Sequence, residues 1–118
     1  MDFVLEYIKA NYTALCKDRN GVCLIKVAQS KVHWVADLSE ILQEHLEELA
    51  TDPFGNFSVQ QMLEMRPELH SSFFEHRVLP RRFQSLCKNK FASNVIDKLI
   101  RNCTKLQLKS LLEHLADE

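Results

Sequence analysis

The segment Asn89-Lys-Phe-Ala-Ser-Asn-Val-Ile-Asp97 decides the fold, because two earlier segments can be laid over it without gaps. They are Asp52-Pro-Phe-Gly-Asn-Phe-Ser-Val-Gln60 and Asp18-Arg-Asn-Gly-Val-Cys-Leu-Ile-Lys26. Each segment has a small residue at its fourth position, followed by two variable residues, an apolar pair or near pair, and a polar residue. The small residues are spaced 34 and then 37 positions apart, at Gly21, Gly55 and Ala92. This period predicts an array of stacked repeats that bury their core between neighbours.

Apolar residues recur at helical spacing along most of the chain, and no strand-like alternation of useful length occurs. They outline three helices through Phe3, Val4, Tyr7, Ile8 and Leu15, through Leu38, Ile41, Leu42, Leu46 and Leu49, and through Leu108, Leu111, Leu112 and Leu115. Capping signals predict helix starts at Asp37 with Glu40, at Thr104 with Gln107, and at Asp52 before Pro53. The expected fold is therefore all-α.

The repeats predict an α-solenoid that forms one domain over residues 1–118. Its units span about 1–35, 36–71 and 72–103, and residues 104–118 form a partial fourth repeat or a terminal cap. A period near 34 residues is also that of tetratricopeptide repeats. Their Trp, Leu-Gly and Tyr positions are missing here, and Trp34 is expected in a linker.

The length, charge and cysteine pattern of the chain exclude several classes of function. The chain has 118 residues, 46% of them hydrophobic, and a formal net charge of -1, so wholesale electrostatic capture of nucleic acid or membrane is not indicated. The four cysteines form no C-x-x-C pair and are expected as reduced core thiols in an intracellular protein. No apolar run approaches the roughly 20 residues of a membrane span.

Enzymatic and metal-binding functions are not expected. The five histidines lack the H-E-x-x-H or paired Cys/His spacing of a metal site, and two glycines are too few for a phosphate loop. Cys87 has no nearby His to activate it as a nucleophile. We therefore predict no catalytic residue, no cofactor and no small-molecule substrate.

Two of the repeated segments resemble the Pumilio (PUF) family of RNA-binding repeats. Asn89–Lys98 is similar to the guanine-reading helix of that family, and Asp52–Gln61 is similar to a uracil-reading one. The resemblance covers about residues 16–103 and implies a right-handed α-solenoid of about three Pumilio-type helical repeats plus a terminal helix. It also implies single-stranded RNA as the partner and, as the contact residues, Asn56, Phe57, Gln60, Ser93, Asn94 and Asp97.

The spacing of these residues suits one base per helix. Asn56 and Gln60 lie four apart on one helix face, and so do Ser93 and Asp97. Two carboxamides can satisfy the donor and acceptors of uracil, whereas a carboxylate accepts the two adjacent donors of guanine. Phe57 is free to stack on a base because other residues supply the core stripe of its helix, namely Phe54, Val59, Met62 and Leu63.

The first unit departs from this pattern. Val22, Cys23 and Lys26 occupy the corresponding positions, and Val22 has no hydrogen-bonding group while Lys26 offers only donors. This unit could hold a phosphate, accept any base, or bind nothing. We also expect basic residues to outnumber acidic ones on the concave face, at Lys17, Lys26, Lys88, Lys90, Lys98 and Arg101.

In the Pumilio family the RNA runs antiparallel to the protein, so the resemblance implies a 5′-GU-3′ core of a UGU-type site. It further implies binding to messenger 3′ untranslated regions in the cytoplasm, with control of translation or decay and effector proteins on the convex face. Two alternatives stay open. One is a divergent nucleolar relative that binds RNA in ribosome biogenesis, and the other is a protein-interaction solenoid whose RNA face has decayed.

Overall fold

The computed structural model describes residues 2–73 and 82–116, and within them it contains helices and short connections but no strand. The helices are α1 (Phe3–Ala10), α2 (Tyr12–Cys16), α3 (Gly21–Gln29), α4 (Val32–Glu44), α5 (Leu46–Ala50), α6 (Gly55–Met65), α7 (Leu69–Ser72), α8 (Phe83–Lys88), α9 (Ala92–Arg101) and α10 (Lys105–Ala116). Among these helices we find none with both the length and the apolar character that crossing a membrane requires.

The helices repeat with the period of the sequence. The short helices α2 and α5 each follow a break in a longer helical stretch, at Asn11 and His45, and each is followed by a longer inner helix. The inner helices are α3, α6 and α9, and α6 packs against both of the others. Helix α8 stands before α9 as α5 stands before α6. The fold is therefore an α-solenoid, as the sequence predicts.

Each inner helix begins with the same side-chain cap. Asp18 Oδ2 accepts hydrogen bonds from the backbone N–H groups of Asn20 and Gly21, at 2.9 and 2.6 Å. Asp52 Oδ2 does the same for the N–H groups two and three residues further on, at 2.9 and 2.8 Å. Asn89 Oδ1 repeats the arrangement in the third unit, at 2.9 Å for both bonds. These bonds satisfy N–H groups that a helix leaves without internal partners.

The small residue after each cap is required by close packing. A Cβ atom on Gly21 would lie 2.5 Å from the carbonyl oxygen of Leu15, and one on Gly55 would lie 2.7 Å from that of Leu49. The preceding short helix therefore passes directly against the start of the inner helix. Ala92 is fully buried at the same place in the third unit, where the backbone leaves room for one methyl group.

A continuous apolar core runs between the units. Its members on α3 and α6 include Ile25, Val59 and Met62, none of which is exposed to solvent. The predicted stripe of the second unit is confirmed in its burial, because Leu38, Leu42, Leu46 and Leu49 all belong to this core while Ile41 is partly buried against it. Leu111 extends the core into α10.

A buried polar chain joins the first two units. The Tyr12 hydroxyl donates to Gln29 Oε1, and Gln29 Nε2 donates to Gln61 Oε1 at 2.8 Å. Gln61 Nε2 in turn donates to the backbone carbonyl of Lys26 at 2.8 Å. Gln29 has no solvent exposure. Burial raises the pKa of the Tyr12 hydroxyl and raises that of the neighbouring Cys16 thiol to about 11, so both groups stay neutral at physiological pH.

Several local predictions are wrong. Helix α4 begins at Val32, so Asp37 lies inside a helix rather than at its start, and Trp34 lies in that helix rather than in a linker. The apolar stripe of α1 is mostly exposed, with Phe3 at 78% and only Ile8 buried.

The capping box at Thr104 is confirmed, since Gln107 N donates to Thr104 Oγ1 at 3.1 Å and Thr104 N donates to Gln107 Oε1 at 2.9 Å.

The four cysteines are all free thiols, as expected, but they are not all in the core. Cys16 is buried and Cys103 is partly buried, whereas Cys23 and Cys87 are exposed. The expectation failed because Cys23 and Cys87 lie outside the apolar stripes of α3 and α8, where a small residue is tolerated on the surface.

We expect Gly55→Ala to destabilise the fold. Alanine is the better helix former by about 1 kcal/mol, yet its Cβ would clash with the backbone of Leu49, and overpacking costs about 1–3 kcal/mol. Urea unfolding followed by circular dichroism measures the change. Ala92→Gly serves as the reverse control and should cost about 1 kcal/mol. A Gly55→Ala protein more stable than the parent would contradict the close approach.

Candidate functional site

Two of the three predicted contact residues of the second unit, Phe57 and Gln60, lie along an open groove between α3 and α6. The groove has a volume of about 380 Å³. Helix α3 contributes Val22, Cys23 and Lys26, and α9 contributes only Lys98. The side chains from α6 are Phe57, Ser58, Gln60, Gln61 and Glu64. The structure thus brings the first-unit and second-unit positions, which are 34 residues apart in sequence, to the same surface.

Asn56 is held inside the protein rather than presented to solvent. Its side-chain Nδ2 donates to the backbone carbonyls of Asp52 and Pro53, at 2.8 and 3.0 Å, and the residue is 1% exposed. Its Oδ1 accepts a hydrogen bond from Gln60 Nε2 at 3.0 Å. Both donor hydrogens of the Asn56 carboxamide are therefore used on backbone carbonyls of the turn that leads into α6.

Gln60 carries the hydrogen-bonding groups that remain available. One hydrogen of its Nε2 is directed to Asn56, which fixes the plane of the carboxamide. The second hydrogen and the Oε1 atom have no partner in the part of the chain that the structure describes. Sequence reasoning assigned both carboxamides to a base edge, whereas the structure leaves one oriented donor and one oriented acceptor on Gln60 alone.

The ring of Phe57 lies on the groove side of α6 and is 58% exposed. Val59, Met62 and Leu63 are fully buried on the opposite side of the same helix, and Phe54 is partly buried. The core stripe of α6 is thus complete without Phe57, as the sequence predicts. An exposed aromatic ring beside an oriented carboxamide offers a stacking surface next to a hydrogen-bonding edge.

The third unit presents a different set of groups on α9. Ser93 Oγ donates to the backbone carbonyl of Lys90 at 3.0 Å, so its hydrogen is used within the helix. Asn94 and Asp97 are exposed. The Asp97 carboxylate pairs through Oδ2 with Arg101 Nε at 2.8 Å, on the next helical turn. Each carboxylate oxygen has further lone pairs, so Asp97 can still accept two hydrogen bonds.

The charges near the groove are more balanced than expected. Lys98 pairs with Glu64 across α6 and α9, and Lys17 pairs with Glu48 at 2.8 Å, which lowers the pKa of that carboxyl group. Together with the Arg101 pair, half of the six predicted basic residues are bound to acids. The Asp97–Arg101 pair has the i, i+4 spacing of a helix-surface ion pair, whereas the pairs of Lys17 and Lys98 could not be read from the sequence because their acids come from other helices.

Two further residues of the groove were missed by sequence reasoning. Gln61 is engaged by Gln29 and by the carbonyl of Lys26, so it fixes α3 against α6. Glu64 contributes an acid to a face that was expected to be basic. Gln61 follows Gln60 directly and Glu64 lies four residues after it, and this helical spacing is the only sequence signal that could have placed the two residues beside the groove. In residues 2–73 and 82–116, no three His, Cys, Asp or Glu side chains are grouped to hold a metal ion.

Comparison with known proteins assigns the family. The model of the Pumilio-family RNA binding repeat matches residues 45–71 and 82–116, which together make up more than half of the chain. The chain belongs to the Pumilio family of RNA-binding repeats. The two matched segments contain α6 and α9, the two helices that carry Asn56, Phe57, Gln60, Ser93, Asn94 and Asp97.

Pumilio relatives in fungi and plants match over most of this chain. It is 26% identical over 105 residues to Pumilio homology domain family member 4 of Saccharomyces cerevisiae, a match that covers 84% of this chain and 12% of that protein. It is 27% identical over 104 residues to putative pumilio homolog 13 of Arabidopsis thaliana, covering 83% of this chain and 19% of the relative.

A third relative is a Pumilio domain-containing protein of Schizosaccharomyces pombe. The identity is 28% over 120 residues, covering 91% of this chain and 17% of the relative. This Pumilio chain therefore spans less than a fifth of the length of each of the three relatives. No solved structure matches it significantly.

The different roles of Asn56 and Gln60 can be separated by stability measurements. We expect Asn56→Leu to lower the free energy of unfolding by about 1–3 kcal/mol, because it removes three internal hydrogen bonds from a buried position. Gln60→Met, a change of similar size at a partly exposed position, removes only one of these bonds and should lower the free energy of unfolding by less than Asn56→Leu does. Equal losses in urea unfolding would show that Asn56 does not have this internal role.

Proposed function

We propose that this chain binds single-stranded RNA sequence-selectively, with one base on α6 and one on α9. The observation that carries the proposal is the arrangement on α6, where an exposed ring at Phe57 lies beside the oriented carboxamide of Gln60. Membership of a family of RNA-binding repeats supports the class of ligand. Stacking with edge recognition is the usual way in which proteins bind unpaired RNA bases.

The α6 site suits uracil. Its imino N–H can donate to Gln60 Oε1, and a neighbouring carbonyl can accept the free hydrogen of Gln60 Nε2. Asn56 acts indirectly in this proposal, because it holds the Gln60 carboxamide in the required plane. Phe57 supplies the stacking surface.

The α9 site suits guanine. The imino and exocyclic amino groups of that base are adjacent donors, and the exposed carboxylate of Asp97 can accept both. Asn94 occupies the position that Phe57 holds on α6 and lies beside the same base. With the RNA antiparallel to the protein, α9 takes the 5′ base, and the preferred core is 5′-GU-3′.

The number of sites limits the affinity. Two base-reading helices cannot match a long array, and three of the nearby basic side chains are already paired with acids. We therefore propose micromolar or weaker binding by this chain alone, with specificity arising at base edges rather than at phosphates. Control of messenger translation or decay through 3′ untranslated regions is the cellular role that we propose for such binding.

A titration by fluorescence anisotropy tests the base preference. We expect a GU-containing RNA octamer to bind more tightly than the same octamer with CA in place of GU, at one fixed salt concentration. Phe57→Ala should weaken binding to the GU octamer by about 1–3 kcal/mol, since a stacking surface is lost. Phe3→Ala is the matched control, because Phe3 is an exposed ring on α1 outside the groove. Equal affinity for the two octamers would refute base reading and favour RNA binding without sequence preference, whereas no binding of either octamer would favour a protein-interaction solenoid.

A substitution on α9 tests the guanine assignment separately. Asp97→Asn should relax the preference for G over A at the 5′ base, because an amide opposes a donor to one of the two guanine donors. Arg101→Gln is the control, since it removes the ion pair but leaves the carboxylate. Competition titrations with G and A variants of the octamer measure the ratio. An unchanged ratio in Asp97→Asn would show that Asp97 does not read the base.

A further inference from the structure

The first unit presents its own set of groups to the groove that the second unit lines. Val22, Cys23 and Lys26 on α3 occupy the positions that Asn56, Phe57 and Gln60 hold on α6. All three side chains line the groove of about 380 Å³, and Phe57 lines it from the other helix. A base that follows the uracil in the 3′ direction would enter this space, with the ring of Phe57 on one side.

Lys26 differs from Lys98, the other lysine that lines the groove, and from Lys17 at the end of α2. Lys98 is bound to Glu64 and Lys17 is bound to Glu48. No carboxylate in residues 2–73 and 82–116 lies within ion-pair distance of the Lys26 ammonium group. Its three donor hydrogens are therefore available on an exposed side chain at the base-edge position of α3.

The backbone below Lys26 is fixed against α6. The Lys26 carbonyl accepts a hydrogen bond from Gln61 Nε2, and Gln61 is in turn held by the fully buried Gln29. Gln61 follows Gln60 directly in sequence, so the same bridge sets the distance between the α3 position and the proposed uracil site. The ammonium group therefore extends from an anchored turn of helix beside that site.

The chemistry of Lys26 selects among the bases. An ammonium group donates only, and Val22 cannot satisfy a base donor. On the Watson–Crick edge, cytosine offers two adjacent acceptors, the ring N3 and the O2 carbonyl. Uracil separates its two carbonyls with an imino donor, guanine sets a donor beside its carbonyl, and adenine offers one ring acceptor beside an amino group. Cytosine alone gives the ammonium two acceptors without opposing a donor to it.

We propose that the first unit takes a cytosine immediately 3′ to the GU core, so that the preferred sequence is 5′-GUC-3′. Lys26 is the specificity-determining residue, and Phe57 contacts the base from the side of α6. The neighbouring units would take the Watson–Crick edges of their bases, and a continuous strand presents the same edge to α3. This inference rests on the proposed RNA binding and extends it by one nucleotide.

Four RNA octamers that differ only in the base after GU test the proposal with the full chain. We expect the C octamer to bind about fivefold or more tightly than each of the other three, within the range for a base discriminated by two hydrogen bonds. Lys26→Gln should abolish the preference for C and raise the relative affinity for U. Lys26→Arg, which also only donates, should retain it. Lys31→Gln is the control, since Lys31 is exposed but does not line the groove.

The outcomes separate this proposal from the one on which it rests. If GU is preferred to CA but the four octamers bind equally, the cytosine site is refuted and base reading on α6 and α9 stands. If Lys26→Gln weakens all four octamers by the same factor, Lys26 binds a phosphate and the cytosine assignment is wrong. A preference for G at this position also overturns it, because that result requires the other edge of the base. Loss of the GU preference itself would overturn both proposals.

Discussion

The solenoid depends on the contact between each short helix and the inner helix that follows it. The backbone carbonyl oxygen of Leu15 lies too close to Gly21 for a Cβ to fit without a shift, and that of Leu49 lies similarly close to Gly55. The caps at Asp18 and Asp52 fix the turn that leads into this contact. Because the entry point and direction of the inner helix are set in this way, its apolar stripe faces the core while Phe57 and Gln60 face the groove.

The groove combines rigid and adaptable parts. Asn56 is bound to carbonyls at the start of α6 and orients Gln60, so the recognition group on that helix is arranged before any ligand arrives. Preorganisation of this kind lowers the entropy that binding must overcome. Asp97 on α9 is different, because it is exposed and shares its carboxylate with Arg101. An incoming base must compete with that pair or donate its hydrogen bonds to the lone pairs that the pair leaves free on the carboxylate oxygens.

The sequence was sufficient for the fold class, the family and the position of the inner helices, since these follow from the repeated segments and their spacing. It also predicted that Phe57 would be exposed, because the remaining apolar residues of α6 complete a core stripe. It could not predict the internal role of Asn56, since a carboxamide four residues from another has the same pattern whether it faces a base or a backbone carbonyl. The pairing of Lys98 with Glu64 could not be predicted because the two residues are 34 positions apart and lie on different helices. Helix α4 was misplaced because a local capping signal at Asp37 lies within a longer helix.

The buried chain from Tyr12 through Gln29 to Gln61 has a consequence for how the array comes apart. Shifting the first unit against the second would break the bonds that Gln61 makes to Gln29 and to the Lys26 carbonyl while Gln29 is still buried, and an unsatisfied buried polar group costs about 1–3 kcal/mol. With apolar packing alone, one unit could shift against the other in small steps, and each step would lose a little contact area and a little free energy. Because the polar chain makes partly shifted arrangements of the two units unfavourable, we expect the first two units to unfold together, as one cooperative element within the repeat array.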